Sequence, residues 1–518
     1  MGDRRAKALM ILGTASHVGK SVTVAALCRA FRQDGLSVAP FKAQNMALNS
    51  FATEDGLEIG RAQAVQARAA GIEPHVDMNP LLLKPSSESG SQLVLNGRVL
   101  GNVTAADFQE FKSRFFESVV AAYRRLSERF DLVILEGAGS PVEMNLKDGD
   151  IVNMRMADAA AAACILVADI DRGGVFASLI GTFELLAPAE RQRFIGFIIN
   201  KFRGDQRLLG PGVEFLESRL GWRCLGVVPF MADLGMDEED SVALEGSAKG
   251  LCKGDDQRRL RICVIKLPHI SNFTDFGPLL DDPTVDLVYA SLPAQSIGAD
   301  VLILPGSKNT IGDLKWLKTS GWDVKIKLHA AGGRPAIGIC GGFQMLGIEV
   351  LDPFRVESED PRARGLGLID AITSLGRQKI TRQATARVAD AATGVLPPWG
   401  TSFNPTFQGY EIHMGETRLQ HNCSPFLSLL RAGDDAAVED GAITEDGRII
   451  GTYLHGLFDS MEGRFWLLNH LRRLCDKEEI PVTDDHNTVV EDRYDRLALH
   501  FRRHLRLDVI NEAIGIAK

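Results

Sequence analysis

Short, nearly uninterrupted apolar runs alternate with amphipathic stretches from the start of the chain. Residues 8–12, 38–42, 132–135, 165–168, 194–200 and 225–229 each have the length and apolar continuity of a strand buried on both faces, and helical spacing fills intervals such as 20–32 and 105–130. Strands of that kind joined by helices predict a parallel sheet covered on both sides. The pattern stops at 237–258, an acidic stretch poor in aromatics, and resumes with 262–266, 286–289, 301–304 and 336–339. The expected fold class is α/β, with parallel-sheet domains at 1–236 and 259–518 joined by an acidic linker at 237–258. Residues 492–517 have helical spacing and are expected to form a tail that packs back on the second domain.

Bulk properties narrow the choice of partners. A chain of 518 residues is too long for one core. A formal net charge of −9 argues against a nucleic-acid partner and a membrane-surface role. No stretch approaches the roughly 18 consecutive apolar residues of a membrane span, and the apolar run after Arg4, Arg5 and Lys7 is too short for an export signal. The eight cysteines form no CxxC pair and mostly fall in apolar strands, which suits reduced thiols in a cytoplasmic protein better than disulfides or a zinc site. Nothing in the sequence reports the oligomeric state.

Two segments carry chemistry. The first, Gly13-Thr14-Ala15-Ser16-His17-Val18-Gly19-Lys20-Ser21, follows directly on the first apolar run and opens a helix. Such a loop points backbone N–H groups at a polyanion, Lys20 adds a mobile positive charge, and the Ser21 hydroxyl can hold magnesium. Five residues rather than the usual four separate Gly13 from Gly19. The second segment is Gly338-Ile339-Cys340-Gly341-Gly342, a cysteine set between a short apolar strand and a Gly-Gly turn into a helix. Its sulfur is expected to project from a sharp turn beside free backbone amides, at a helix end that favours the thiolate. His455, in Tyr453-Leu454-His455-Gly456, follows at a distance suited to a base in the same domain.

Polar clusters gather where the first set of strands should end, which is where open parallel sheets bind ligands. Glu136 ends one strand and is a candidate to position magnesium. Asp169, Asp171 and Arg172 end the next. Asn200 ends a third, where a nucleobase contact and a helix cap are equally good readings. Lys42, Gln44, Asn45 and Asn49 crowd the segment 42–50 with amides and too few charges for a solvated loop, and 84–91 is similar. Both suit a pocket for a large ligand rich in carboxylates and amides.

These motifs together resemble the cobyric acid synthase family, the glutamine-dependent amidotransferases of cobalamin biosynthesis. The resemblance runs over essentially the whole chain and also includes 143–153, Leu267-Pro268-His269-Ile270-Ser271-Asn272-Phe273-Thr274-Asp275-Phe276, 304–310 and Gly409-Tyr410-Glu411-Ile412-His413-Met414-Gly415. It implies a nucleotide domain of the dethiobiotin-synthetase type, with the same five-residue spacing, followed by a class I glutamine amidotransferase-like domain. The implied activity is ATP- and magnesium-dependent amidation of four peripheral carboxylates of the corrinoid adenosylcobyrinic acid a,c-diamide. Ammonia would come from glutamine cleaved at Cys340 with His455 as base. Two departures stand out. Class I amidotransferases usually present His-Pro-Glu, whereas His455 is followed by Gly456 and Leu457, and Gly277 stands where many relatives carry aspartate. The rival readings are cobyrinic acid a,c-diamide synthase, which shares both domain types, and a non-catalytic phosphate-loop regulatory ATPase, against which Cys340 and His455 speak.

Overall fold

The computed structural model describes residues 5–85, 90–231, 258–393, 395, 404–480 and 486–516, with backbone alone over 105–113 and 486–489. Most of the expected linker, 237–257, and residues 86–89 lie outside the described residues.

The six apolar runs of the first half all become strands of one parallel sheet. Its order is Arg223–Pro229, Phe194–Phe202, Ala163–Asp169, Lys7–Gly13, Leu132–Glu136 and Val38–Phe41. The central strand alternates its side chains between two cores. Met10 and Leu12 join one with Phe41, Leu135 and Phe197. Leu9 and Ile11 join the other with Val24, Leu27 and Phe31 of the helix Lys20–Gln33. Burial on both faces is why these strands read as continuous apolar runs.

The second sheet is led by five parallel strands, Val285–Ala290, Leu260–Ile265, Val301–Leu304, Ala336–Ile339 and Ile449–Thr452. Beside it lies a largely antiparallel sheet built on two long strands, Ala371–Val388 and Thr406–Leu419, with the short strand Leu454–His455 paired to the second. The sequence pattern does not reveal this sheet, because many positions along Ala371–Val388 are only half-buried and give no clean apolar run.

One expectation is overturned. The apolar faces of the C-terminal helices His486–His504 and Leu507–Ile514 pack on the first domain, while Arg493 also bridges to Asp281 of the second at 2.5 Å. Tyr494, Leu497, Phe501 and Ile510 join the core of Leu9, Ile11 and Val24. Arg29, nearly buried, bridges Asp495 at 2.7 Å and Glu491 at 2.8 Å. The tail's apolar stripe at helical spacing needs a covered face, and the open face of the first sheet supplies it.

The domains share buried surface as well. The hairpin Ser50–Ala52 with Glu58–Gly60 reaches out of the first domain, and Phe51, Ala52 and Ile59 form a small core with Tyr410 and Ile412 of the second.

Candidate functional site

The phosphate loop leaves the carboxyl end of Lys7–Gly13 and closes on Gly19, whose φ of 101° suits glycine. A Cβ at Gly19 would stand 2.1 Å from Nδ2 of Asn200, so the loop is pressed against that amide. Asn200 therefore has a role the sequence does not suggest: its Nδ2 donates to the carbonyl of Val18 at 2.9 Å, bracing the loop rather than capping a helix. Thr14 N–H is tied to the carbonyl of Val167 at 3.0 Å. Lys20 Nζ donates to the carbonyls of Ala15 at 2.8 Å and Gly139 at 3.1 Å, which places its charge between the loop and the end of the Leu132–Glu136 strand.

Glu136 is the hub of this end. One carboxylate oxygen accepts from Ser21 Oγ at 2.8 Å and Lys42 Nζ at 3.1 Å, and the other from Gln66 Nε2 at 2.6 Å. Burial works against its charge, but Lys42, Gln66, Ser21 and Lys20 hold the carboxyl below its ordinary range. A hydroxyl and a carboxylate in contact are a chemically sound pair for magnesium, and Oε1 of Gln66, buried without a partner, leaves an acceptor there for a bound water.

The remaining residues expected at this end divide. Asp171 and Arg172 lie on the exposed Gly-Gly loop, with Asp171 taken by Arg203 Nε at 2.8 Å. Gln44 is half-buried, and Asn45 is buried with its amide donated to Gln63 at 3.0 Å. Asn49 faces the other domain, where its Oδ1 accepts from Phe273 N–H at 3.3 Å. The amide-rich segment 42–50 is thus mostly interior, running from the phosphate loop to the domain boundary.

In the second domain Cys340 occupies the tip of a strained turn, with φ 53° and ψ −110°, at the start of the helix Gly341–Leu346. Its backbone is pinned by the bond from Cys340 N–H to the carbonyl of Thr452 at 2.8 Å. The turn needs its glycines: a Cβ at Gly342 would lie 2.0 Å from the carbonyl oxygen of Leu304, and one at Gly341 would lie 2.8 Å from Ser307 N. The strand residues Gly306 and Ser307 therefore run directly beside the nucleophile turn, where their backbone can face an oxyanion.

His455 is fully buried next to this turn. Its Nδ1 lies 2.7 Å from Asp275 Oδ2, and the other oxygen of Asp275 accepts from Gly456 N–H at 3.2 Å. Burial pulls the imidazole down, but Asp275 and the neighbouring Cys340 sulfur outweigh it and carry its pKa up to about 10. The third member that His-Gly-Leu lacks is thus supplied by Asp275. Sequence reading passes over it because 180 residues separate it from the histidine, although it sits in the motif 267–276 that the resemblance singles out. Tyr410 stacks on the imidazole, with ring centroids 5.3 Å apart. Gly277 lines a cavity of about 400 Å³ between the domains, with Phe51, Arg61, Thr274, Tyr410 and Tyr494.

Comparison with known proteins agrees with both halves of this description. Residues 9–242 match the CobQ/CobB/MinD/ParA nucleotide binding domain, and residues 261–463 match the CobB/CobQ-like glutamine amidotransferase domain. Among curated proteins, the chain is 47% identical to a cobyric acid synthase of Syntrophobacter fumaroxidans over 99% of each chain. It is 48% identical to one of Klebsiella pneumoniae over 97% of each. It is 46% identical to one of a Thermoanaerobacter species over 98% of this chain and 97% of the relative.

Proposed function

The chain belongs to the cobyric acid synthase family, glutamine-dependent amidating enzymes of cobalamin biosynthesis, and from that premise we propose the chemistry its residues perform. The substrates are ATP, glutamine and a corrinoid bearing free carboxylates, adenosylcobyrinic acid a,c-diamide, with four peripheral carboxylates converted to amides. The observation that carries this reading is the presence in one chain of a phosphate loop and a Cys340–His455–Asp275 site, joined through a buried interface.

At Cys340, His455 takes the thiol proton and the sulfur adds to the glutamine carboxamide. His455 returns the proton to the departing ammonia, leaving a thioester on Cys340. Water, losing its proton to His455, releases glutamate and restores the thiol. Asp275 keeps the ring oriented through Nδ1, the part a carboxylate plays beside a catalytic histidine elsewhere.

At the phosphate loop, a corrinoid carboxylate attacks the terminal phosphoryl group of ATP to give an acyl phosphate and ADP. Ammonia displaces the phosphate and leaves the amide. Lys20 meets the charge that moves with the phosphoryl group. A magnesium ion held by Ser21 and Glu136 would neutralise further phosphate charge. Lys42, paired with Glu136, keeps that carboxylate charged and in place.

The test is incubation of the protein with ATP, glutamine and the diamide, counting by mass spectrometry the carboxylates converted. Successive conversion of four carboxylates supports the reading; no conversion of the diamide, with amidation confined to the a and c positions when the unamidated ring is supplied in a parallel reaction, would favour the diamide synthase instead. Cys340→Ala should lose glutamine as donor and keep high ammonium. A variant still active with glutamine would make Cys340 an ordinary core cysteine.

A further inference from the structure

Beside the nucleophile turn stands a buried cation with no counterion. Lys308 follows Ser307, whose backbone runs against Gly341, and its own N–H is fixed to the carbonyl of His269 at 3.0 Å. The residue is only 8% exposed. Among the described residues its ammonium makes neither a hydrogen bond nor an ion pair; Glu357, Lys84, Glu58 and the Cys340 sulfur act on it through space alone.

The turn that carries Lys308 is rigid. Ser307 Oγ donates to Asp313 Oδ2 at 2.6 Å and accepts from Asn309 N–H at 3.0 Å. Asn309 Oδ1 accepts from Gly312 N–H at 2.9 Å and so caps the helix Thr310–Thr319. Thr310 Oγ1 donates to Gln344 Oε1 at 3.0 Å, which ties the turn to the helix that starts after Cys340. Every polar side chain from 307 to 310 is therefore spent on structure except that of Lys308.

A buried ammonium in this state is costly, because it has lost water and gained no partner. Burial, with Lys84 as a like charge, pulls it down from the ordinary lysine range. The carboxylates within electrostatic reach are already engaged. Glu58 holds Lys84 at 2.8 Å and Lys379 at 2.5 Å, and Glu357 Oε2 accepts from Thr310 N–H at 3.0 Å. Three lysines thus gather around Glu58, and the one left over is the one within reach of the Cys340 sulfur. A glutamine whose carboxamide meets that sulfur carries its α-carboxylate a short aliphatic stem away. That carboxylate is the anion Lys308 lacks.

We propose that Lys308 recognises the α-carboxylate of glutamine and so sets the donor specificity of the Cys340 site. The assignment deepens the glutaminase reading and rests on it. Lys308 takes no part in the proton transfers; it holds the amino-acid head group so that the carboxamide reaches the sulfur.

The test compares wild type with full-length Lys308→Met. An apolar chain of similar length replaces an unpartnered buried charge, so the variant should unfold no earlier than wild type. Its KM for glutamine should rise about 10- to 100-fold, the factor a hydrogen bond to a charged group commands, with kcat kept. Wild type should strongly prefer L-glutamine to 4-aminobutanamide, which lacks the carboxylate, and the variant should lose that preference by the same factor. Labelling of Cys340, read by peptide mass spectrometry, gives an independent measure. The diazoketone 6-diazo-5-oxo-L-norleucine carries the head group of glutamine and should label the variant about 10- to 100-fold more slowly. Iodoacetamide has no such head group and should label both proteins alike. Equal losses with the two reagents would make Lys308 a support of the thiolate and overturn the proposal, as would an unchanged preference for the carboxylate. If Cys340→Ala keeps glutamine use, the glutaminase reading itself fails, whichever way the lysine variant behaves.

Discussion

His455 Nδ1 and Asp275 Oδ2 lie 2.7 Å apart, although 180 residues separate them in sequence and the carboxylate comes from a loop clamped to the other domain. The same carboxylate also accepts Gly456 N–H, so it fixes both the ring and the backbone that carries it. With one side chain doing both, the usual glutamate after the histidine is not needed.

Asp275→Asn should therefore lower glutamine-dependent turnover roughly 10²- to 10⁴-fold, the range set by positioned acid–base groups. Ammonia-dependent amidation should be unaffected, because the phosphate loop is remote from the change. Steady-state rates with each donor decide this, and an equal fall with both would show that Asp275 holds the fold rather than the histidine.

Much of this arrangement is legible in sequence. The parallel strands announce themselves as apolar runs because both their faces are buried, and Gly19, Lys20, Cys340 and His455 declare their chemistry through local spacing. What escapes is nonlocal. Asp275 acquires meaning only once the chain brings it to His455. Asn49 reads as a ligand contact because amides without charges suit a pocket, but they suit a buried domain boundary equally well. The C-terminal tail reads as a partner of its neighbour in sequence, whereas its apolar stripe finds the sheet that opens the chain.

Lys20→Ala should abolish amidation with glutamine and with ammonium alike, since the acyl phosphate no longer forms. The ammonium of Lys20 donates to the main-chain carbonyls of Ala15 and Gly139 at the edge of the phosphate loop, outside the apolar cores that hold the sheet, so the fold should persist. Loss of such a charge contact costs about 3 kcal/mol or more of transition-state stabilisation. Residual ammonium-dependent synthesis near the wild-type rate would refute the role of the loop; circular dichroism checks the fold.

A pH signature is expected from Asp440. It is buried and accepts from Thr452 Oγ1 and, at 3.2 Å, from Tyr453 N–H, on the strand that leads to His455. Burial pushes its carboxyl up to about 7 despite those donors. A carboxyl raised on folding adds stability that is complete below its unfolded value near 4 and is lost as pH rises through about 7. Asp440→Asn should flatten the dependence of Tm on pH between about 4 and 7. Parallel curves for the two proteins would mean that the side chain is charged throughout.

The interface itself is tested by Glu58. It is almost completely buried, and its two oxygens bind Lys84 Nζ of its own domain at 2.8 Å and Lys379 Nζ of the second at 2.5 Å. Burial opposes the Glu58 charge, yet the two ammonium groups hold its carboxyl far below its usual range. Lys379 is drawn down to about 7, first by burial, with Glu58 opposing that fall. Glu58→Gln takes away the anion both lysines share, so Lys379, already near 7 with Glu58 present, gives up its proton at neutral pH, and breaking the buried pairs in this way costs about 3–5 kcal/mol. Denaturant unfolding should show that loss. Adding Lys379→Met should recover most of it, because an apolar chain of similar length removes the buried amine that has lost its carboxylate, and the remaining cation, Lys84, keeps the Ser50 hydroxyl at 2.8 Å as a partner. If the single variant unfolds at the wild-type denaturant concentration, the three charges are solvated and the domains are not locked through them.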